Sequence, residues 1–323
     1  MPSTRTPEPT TTPSGTPNPE LFRDSNVLVV GGSGFIGSHL AAYFKKAGAS
    51  VTILGLKKPP TTAVDNAFQV DLARRDDVRL ALANSSFDFV INAGGYIQHT
   101  AFTKGGRAVL DAHFRGLLNL VESLERNRLR AFVQLGSSDE YGGNPSPQNE
   151  AMRESPISPY SMAKVAATHF LQMLSRTEGF PAVIVRLFLV YGPGQDAQRF
   201  IPQVARGFLA DEDVNLSRGE QIRDFAYVED IVRGIAIAAT VADARGEVIN
   251  LASGQPISVK EVVKILAGLI ARGRPKFGVI PYRVGENMSL YAMVEKARSI
   301  LHWSASTPLR QGLELTVRSM SKS

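Results

Sequence analysis

The chain has 323 residues, of which 43% are hydrophobic and 20% charged, as is usual for a globular protein. It contains no cysteine, which excludes disulfides, thiol catalysis and cysteine-ligated metal sites and is consistent with a reducing compartment. Its net charge of +6 is spread along the chain instead of forming a basic patch. We therefore expect the cations to meet phosphate groups of a cofactor or substrate, and we do not expect a nucleic-acid partner.

The N-terminal segment, residues 1–24, is rich in proline, threonine and serine. Such a composition cannot bury enough apolar surface to fold, so we predict a disordered tail. The segment lacks the hydrophobic core of a secretory signal, and no apolar run approaches the roughly 20 residues that span a bilayer. The sequence therefore predicts a cytoplasmic protein with no membrane partner.

Short apolar runs alternate with amphipathic helical patterns from Asn26 onward. The patterns predict strands at 27–30, 51–54, 87–92, 131–135 and 182–188, and helices at 38–47, 108–126 and 159–177. This alternation predicts an α/β fold with a Rossmann-like, doubly wound parallel sheet over residues 25–188. Residues 189–323 contain more proline and glycine and two short amphipathic stretches, which indicates a smaller C-terminal substrate-binding lobe, partly interleaved with the first domain.

A glycine turn joins the first predicted strand to the first predicted helix, with Gly31, Gly34 and Gly37 spaced as G-x-x-G-x-x-G. Glycine allows the tight turn, lets a pyrophosphate approach bare backbone and lets the helix pack close to the strand. Phe35 and Ile36 open that helix, whose first N–H groups have no partner within the helix and can bind the anion. The turn therefore predicts a bound dinucleotide.

The loop after the second strand bears on which dinucleotide is bound. An NAD site usually carries an acid there to bind the adenosine ribose, but this chain has Gly55-Leu56-Lys57-Lys58. No acid repels a 2′-phosphate at this point, and Lys57 can attract one. NADP is therefore slightly favoured over NAD, although both lysines could equally be solvated loop residues.

Tyr160 and Lys164 are four residues apart and would share one face of the helix at 159–177. A tyrosine has an ordinary pKa near 10, and a neighbouring ammonium lowers it, so the pair could exchange a proton while hydride is transferred. Ser137 follows a predicted strand, at the edge where open α/β sheets carry their sites, and could hydrogen-bond the reacting oxygen. The three residues form a candidate catalytic group.

The chain resembles the extended short-chain dehydrogenase/reductases, which include nucleotide-sugar epimerases, dehydratases and 4-ketoreductases. The resemblance extends from about Asn26 to the end and rests on ordered motifs: the 31–37 turn, Ser137 with Tyr141-Gly142, Tyr160 with Lys164, Arg186-Leu187-Phe188, 190–195, 223–230, 250–254, 282–287 and 301–303. It implies that Ser137, Tyr160 and Lys164 are the catalytic hydroxyl, the acid/base and its cationic partner, with Lys164 also holding the nicotinamide ribose. It further implies cofactor contacts from Asp71 and Leu72 beside adenine and from Ala93 and Gly94 at a strand end.

On the substrate side, the resemblance implies that Arg223 binds the diphosphate of a nucleoside-diphosphate sugar and that Arg283 and Glu286 form a second pair, with Glu286 on a ribose. Two arginines also suit a diphosphate on general grounds. Leu189 stands where the family usually has an asparagine, and His113 where it often has another. The predicted substrate-binding residues are Ser138, Asp139, Leu189, Arg199, Arg223, Arg283 and Glu286.

The resemblance leaves the reaction open between 4-epimerisation and 4-keto reduction. A 4,6-dehydratase is less favoured, because Asp139 stands where dehydratases carry a longer glutamate, and a redox-silent isomerase or mutase on the same scaffold is a further alternative. A non-catalytic NAD(P)-sensing protein is the rival from another class. By family analogy the helices at 108–126 and 159–177 could pair two subunits into a homodimer. The five histidines are scattered, so we expect no metal.

Overall fold

A computed structural model of the protein describes residues 18–57, 64–283 and 285–321. The strands are β1 (Asn26–Val30), β2 (Ser50–Gly55), β3 (Asn66–Gln69), β4 (Phe89–Asn92), β5 (Ala131–Ser137), β6 (Ala182–Leu187), β7 (Leu189–Tyr191), β8 (Asp213–Leu216), β9 (Ile222–Tyr227), β10 (Val248–Leu251), β11 (Pro256–Ser258), β12 (Arg274–Phe277) and β13 (Ser289–Leu290). The α-helices are α1 (Phe35–Lys46), α2 (Arg75–Leu82), α3 (Gly106–Leu110), α4 (Gly116–Ser123), α5 (Pro159–Glu178), α6 (Phe200–Leu209), α7 (Val228–Ala238), α8 (Val259–Ile270), α9 (Glu295–Leu301) and α10 (Leu309–Met320). Within these ranges no helix is both long enough and apolar enough to cross a membrane.

The main sheet has seven parallel strands in the order β10-β6-β5-β4-β1-β2-β3. The chain winds outward from β1 to β3, then crosses back to β4 on the other side of β1, as in a Rossmann fold. The strand order therefore reverses between β1 and β4, and the carboxyl ends of these strands border the crevice where such sheets bind ligands. The predicted doubly wound α/β fold is confirmed.

Both faces of the main sheet are buried, which explains why its strands read as continuous apolar runs. Along β1, Val27 and Val29 pack into a core on the α1 and α7 side. Leu28 and Val30 pack into a second core on the α4 and α5 side. Side chains alternate between the faces of a strand, so an uninterrupted apolar strand fills both cores at once.

The second part of the chain is divided between the main sheet and a smaller lobe. β10 pairs with β6 at the edge of the main sheet, and α7 packs against α1. The smaller lobe contains β9 with β7, β11 and β13 as neighbours, together with the parallel pair β8 and β12. A domain boundary at residue 188 would therefore separate β10 from the main sheet, of which it is the edge strand, and α7 from α1, against which it packs.

The predicted helix at 108–126 contains a wide turn that the sequence pattern did not indicate. Residues Asp111–Arg115 form a π-helical segment between α3 and α4. A π-turn inserts one extra residue into the helix and changes the direction of the side chains beyond it. The helix ends at Ser123, three residues before the predicted end, and β5 continues to Ser137, two residues beyond its predicted end.

The predicted tail is too long at its C-terminal end. Pro19–Phe22 form a short 3-10 helix whose first turn is capped by the Asn18 side chain, which accepts a hydrogen bond from the Glu20 N–H at 3.1 Å. The Phe22 ring is fully buried, with its centroid 4.9 Å from that of Phe44 and 5.0 Å from that of Phe89. One aromatic side chain thus fixes a segment that its composition alone assigned to disorder, and residues 18–24 belong to the folded unit.

We expect the Phe22→Ala variant to lose about 3–5 kcal/mol of unfolding free energy, because it removes a large buried ring and leaves a cavity. Urea unfolding followed by circular dichroism measures the change. Glu20→Ala, in the same turn but with an exposed side chain, is the matched control and should cost less than about 1 kcal/mol. Equal stability of the two variants would show that this segment is not docked.

Candidate active site

The glycine turn lies between β1 and α1, where the sequence predicts it. Gly31 has a φ of +73°, and a Cβ at this position would lie 2.7 Å from the carbonyl oxygen of Ala93. A Cβ at Gly37 would lie 2.1 Å from the carbonyl oxygen of Gly31. Only glycine permits this approach of α1 to the turn and of the turn to the end of β4.

The N-terminus of α1 is open toward this turn. Its N-cap is Gly34, so no side chain caps the first N–H groups, and Phe35 and Ile36 form the first helical residues. Uncapped N–H groups and the helix dipole make this terminus suited to an anion. With a backbone cradle that a Cβ would fill, these residues fit the pyrophosphate of a dinucleotide.

The strand ends beside the turn carry the other predicted cofactor residues. Lys57 is exposed, two residues beyond β2, while Lys58 lies outside the described residues. Asp71 follows β3, and its carboxylate accepts a hydrogen bond from the Ala73 N–H at 2.9 Å. Leu72 is buried and lies beside Gly94, the second residue after β4. These residues surround the crevice at the reversal of strand order, with the glycine turn and Ala93 at its centre.

The three candidate catalytic residues meet at the carboxyl end of β5. Ser137 is the last residue of that strand, whereas Tyr160 and Lys164 lie in the first two turns of α5. The Lys164 Nζ donates a hydrogen bond to the Leu135 carbonyl oxygen at 2.7 Å and lies 5.8 Å from the centroid of the Tyr160 ring. All three side chains are buried, with Tyr160 only 5% exposed.

Burial dominates the titration of this group. It lowers the pKa of Lys164 to about 8, although Glu140 and then Asp139 act in the opposite direction. The pKa of Tyr160 is raised, first by burial and then by the negative charge of Asp139, while a hydrogen bond with Ser137 and the charge of Arg199 lower it. The expectation that a neighbouring ammonium gives a lowered tyrosine pKa is therefore wrong, because burial of the phenol dominates its titration.

Two histidines flank the Tyr160 ring. His113, in the π-helical segment, has its ring centroid 5.1 Å away, and His99 has its centroid 5.7 Å away. Burial lowers the pKa of His113 to about 3, so it is neutral at physiological pH, and its Nε2 lies 2.8 Å from the Tyr96 carbonyl oxygen. His99 forms an ion pair with Asp139 at 3.5 Å when protonated. The sequence placed His113 on a helix, but only the fold shows that it packs on Tyr160.

The predicted substrate residues fall into an accessible and an enclosed group. Arg199 and Arg283 are exposed, and Arg199 is close enough to Tyr160 to affect its pKa. Ser138 is buried, and Leu189 is half-buried in β7, which pairs with β9. Arg223 lies in β9 and forms an ion pair with Glu286, so these two predicted ligands of the substrate bind each other.

Sequence reasoning missed a buried charged group directly behind Ser137. Glu140 and Arg186 have no exposed surface, and the Arg186 Nε donates to the Glu140 Oε2 at 2.9 Å. The available signals were a second acid next to Asp139 and a single arginine within an apolar strand. Neither signal identifies its partner, because the two residues are 46 positions apart. Among the described residues no group of three or more histidine, aspartate or glutamate side chains could hold a metal ion.

Known proteins are similar to this chain along most of its length. UDP-glucuronate 4-epimerase of Thermodesulfobacterium geofontis is 26% identical over 90% of this chain and 94% of its own length. The solved structure of MoeE5 in complex with UDP-glucuronic acid and NAD is 29% identical, with a TM-score of 0.80, over 92% of this chain and 99% of that chain. UDP-glucose 4-epimerase from Thermotoga maritima, solved with UDP-glucose, has a TM-score of 0.82 over 92% of this chain and 99% of that one, and at 24% identity it supports the fold.

The model of the NAD dependent epimerase/dehydratase family matches residues 27–252. This range begins in β1, includes the glycine turn, Ser137, Tyr160, Lys164 and Arg223, and ends just after β10. It therefore covers the whole main sheet and crosses the predicted boundary at residue 188. The predicted family and enzyme class are confirmed: the chain belongs to the NAD dependent epimerase/dehydratase family.

Proposed function

We propose that the protein interconverts UDP-sugars that differ in configuration at C4, with a nicotinamide dinucleotide bound over the glycine turn and Tyr160 as the acid/base. The observation that carries the proposal is the meeting of Ser137, Tyr160 and Lys164 at the carboxyl end of β5, beside the dinucleotide crevice. The names of the relatives support the substrate class, since UDP-glucuronate 4-epimerase and UDP-glucose 4-epimerase both act on UDP-sugars at C4.

The residues present fit the cofactor in two places. The backbone of Gly31 and Gly37 and the open terminus of α1 suit its pyrophosphate. Lys164 is a buried cation next to Tyr160 and is suited to the hydroxyls of the nicotinamide ribose. When bound, the nicotinamide ring supplies the acceptor and the donor of a hydride.

The chain's own residues would handle the proton and the reacting oxygen. The Ser137 hydroxyl hydrogen-bonds the oxygen of the sugar's C4 hydroxyl group. Tyr160 removes the proton of this sugar hydroxyl as C4 is oxidised to the ketone. Tyr160 then returns a proton to the same oxygen when the ketone is reduced on its opposite face. One residue serves both directions because its hydrogen bond with Ser137 keeps it aimed at one oxygen. No net oxidation results.

A second candidate is the reduction of a 4-keto sugar. Burial raises the pKa of Tyr160, so the side chain holds its proton at physiological pH, as an ordinary tyrosine also does, and it can donate that proton in the first step. A resting donor suits the reduction of a 4-keto sugar, in which the proton is only delivered. The two candidates differ in their consumption of cofactor: 4-keto reduction consumes one reduced dinucleotide per product, and epimerisation consumes none.

The substrate's diphosphate would have to compete with Glu286 for Arg223. Both side chains are largely enclosed, at 11% and 18% exposure, so the pair is partly desolvated. A diphosphate can take over the bidentate hydrogen bonds of the guanidinium and free the carboxylate for a ribose hydroxyl. Leu189 offers no amide to the substrate, so in this proposal Arg199 and Arg283 supply the remaining polar contacts.

A homodimer remains part of the proposal. α5 carries Met162 and Met173 with exposures of 48% and 39% on its outer surface, and Phe102, before α3, is 59% exposed. Because α3 packs against α5, these apolar groups lie on neighbouring elements that a second subunit could cover.

The function is tested by turnover of purified protein with UDP-glucose, UDP-galactose, UDP-glucuronate and dTDP-, GDP- and CDP-hexoses, followed by NMR of the products. We expect redox-silent interconversion at C4 of a UDP-sugar, and we expect Tyr160→Phe to lower kcat by about 10²–10⁴-fold because the transferred proton has no carrier. Tyr43→Phe removes a buried hydroxyl in α1 that has no hydrogen-bond partner among the described residues, and it is the matched control with normal turnover. Undiminished turnover of the Tyr160 variant would contradict the proposed role, and stoichiometric dinucleotide consumption would favour 4-keto reduction.

The cofactor site is tested by the Gly37→Ala variant. Its Cβ would collide with the Gly31 backbone, so α1 must move away from the turn, and we expect dinucleotide affinity to fall on the order of 10-fold or more. Calorimetric titration of the cofactor-free protein measures this affinity. Gly268→Ala in α8 is the control, since no atom of the described residues outside its own helix lies within 4 Å of the added Cβ, and it should bind as the wild type does. Wild-type affinity in both variants would place the dinucleotide elsewhere.

The choice of dinucleotide is tested at Lys57. With no acid between Gly55 and Lys57, we expect NADP to bind at least as well as NAD. Lys57→Glu should weaken NADP by about 10-fold, because only NADP carries the 2′-phosphate, and should bind NAD at least as tightly as the wild type does, because an acid at this place can bind the adenosine ribose. Lys46→Glu, an exposed lysine at the end of α1, controls for the change in net charge. A wild type that binds NAD and rejects NADP would refute the preference inferred from the lysines.

A further inference from the structure

Glu140 is a fully buried carboxylate that the proposed chemistry does not use. It lies in the 3-10 helix Ser138–Tyr141, one turn beyond the end of β5, and none of its surface is exposed. Acidic side chains are almost never fully buried unless they are paired, because removing a charge from water is costly. Its complete burial beside the candidate catalytic group therefore calls for a specific set of partners.

Both carboxylate oxygens of Glu140 are hydrogen-bonded. The Oε1 accepts the backbone N–H of Ser137 at 2.9 Å. The Oε2 accepts the Thr168 hydroxyl at 2.8 Å and the Arg186 Nε at 2.9 Å. One side chain thus joins the end of β5, the middle of α5 and strand β6.

The hydrogen bond from the Ser137 N–H to Glu140 is matched by a second hydrogen bond, which the Ser137 side chain accepts. The Ser137 side-chain oxygen accepts the Asp139 N–H at 3.2 Å, so Ser137 and Glu140 form a capping box around the short helix. This arrangement fixes the backbone of Ser137 from one side and its hydroxyl from the other. The direction in which that hydroxyl faces Tyr160 therefore depends on Glu140.

The contact with Thr168 brings the carboxylate close to Lys164. Tyr160, Lys164 and Thr168 are spaced four residues apart and share one face of α5. Glu140 binds the last of the three, so its carboxylate lies against the face of α5 that carries Lys164. Of the negative charges that offset the desolvation of Lys164, that of Glu140 has the largest effect.

We propose that Glu140 is a positioning residue, which holds Ser137 in its reactive orientation and supplies the buried negative charge that keeps Lys164 an ammonium. The proposal rests on the assignment of Ser137, Tyr160 and Lys164 as the reacting group. The competing explanation is that Glu140 only neutralises Arg186. Glu154 separates these two explanations, because its Oε1 accepts the Arg186 Nη2 at 2.6 Å but it has no hydrogen bond with Ser137 or Thr168 among the contacts described.

The direct test is the titration of Lys164 in protein labelled with ¹³Cε-lysine, with its resonance identified by its loss in Lys164→Arg. We expect a wild-type midpoint near 8 and a lower midpoint in Glu140→Gln, because removal of the carboxylate charge disfavours the ammonium. Glu154→Gln should leave the midpoint unchanged. The charged or titratable groups that surround Glu140 and Lys164 and stay the same in all of these proteins are Asp139, Tyr160, Arg186, His113 and His99.

The kinetic test separates charge from positioning. Since the ammonium is lost as pH rises through its pKa, kcat/KM should fall above about pH 8 in the wild type, and this alkaline limb should move to lower pH in Glu140→Gln. Glu140→Asp keeps the charge but is too short to reach the Ser137 N–H. It should lower kcat on the order of 10-fold while leaving the limb in place.

The outcomes are distinct. A Lys164 midpoint equal in wild type and Glu140→Gln, or shifted equally by Glu154→Gln, would overturn the role assigned to the charge. An undiminished kcat in Glu140→Asp would overturn the role in positioning, and this part of the test does not depend on the folding of Glu140→Gln. Failure of every UDP-sugar to turn over would refute the proposed function alone, because the NMR midpoint needs no substrate.

Discussion

The packing of α5 against the carboxyl end of β5 is the contact on which the site depends. The helix begins at Pro159, after a Ser158 cap whose hydroxyl accepts the Ser161 N–H at 3.1 Å, so its start is defined by local sequence. Tyr160 and Lys164 consequently occupy its first two turns, and Lys164 reaches a strand carbonyl at Leu135. A buried ammonium needs such an acceptor, because an unpaired charge in the interior costs several kcal/mol. Any shift of α5 along β5 would remove both the acceptor and the alignment with Ser137.

The carboxylates of Glu140 and Asp139 affect the ionisation of Lys164 and of Tyr160 in opposite ways. Negative charge from Glu140 and Asp139 favours the ammonium of Lys164 and disfavours the phenolate of Tyr160. A site with more negative charge would keep Lys164 charged but would make Tyr160 a poorer base. Glu140 lies behind Ser137, bound to Arg186, whereas Asp139 is partly buried and lies within reach of His99.

Local sequence signals predicted the elements and singled out the candidate catalytic group, because each of these signals depends on neighbours in the chain. The glycine turn, the strand ends and the four-residue spacing of Tyr160 and Lys164 are of this kind. Contacts between distant residues were not predictable from one sequence, as the pair Glu140 and Arg186 shows. The raised pKa of Tyr160 belongs to the same class, since its main cause is burial by the whole fold. Phe22 was missed for a different reason: composition averages over a segment, and one ring decides whether the segment docks.

The ion pair between Arg223 and Glu286 extends this reasoning to the smaller lobe. Arg223 lies in β9, which pairs with β7. Since β7 directly follows β6 of the main sheet, this pairing fixes the position of Arg223 relative to the main sheet. When an arginine is already paired with a carboxylate, replacing that partner by a weak anion yields little binding free energy. The net gain is only the difference between the interaction energies of the two partners. A diphosphate offers more acceptor oxygens and more charge than Glu286 does, and so can displace it. Under the proposed function, the pair would favour a doubly charged ligand over a weaker anion, and the uncharged Leu189 in β7 would add no attraction for smaller anions.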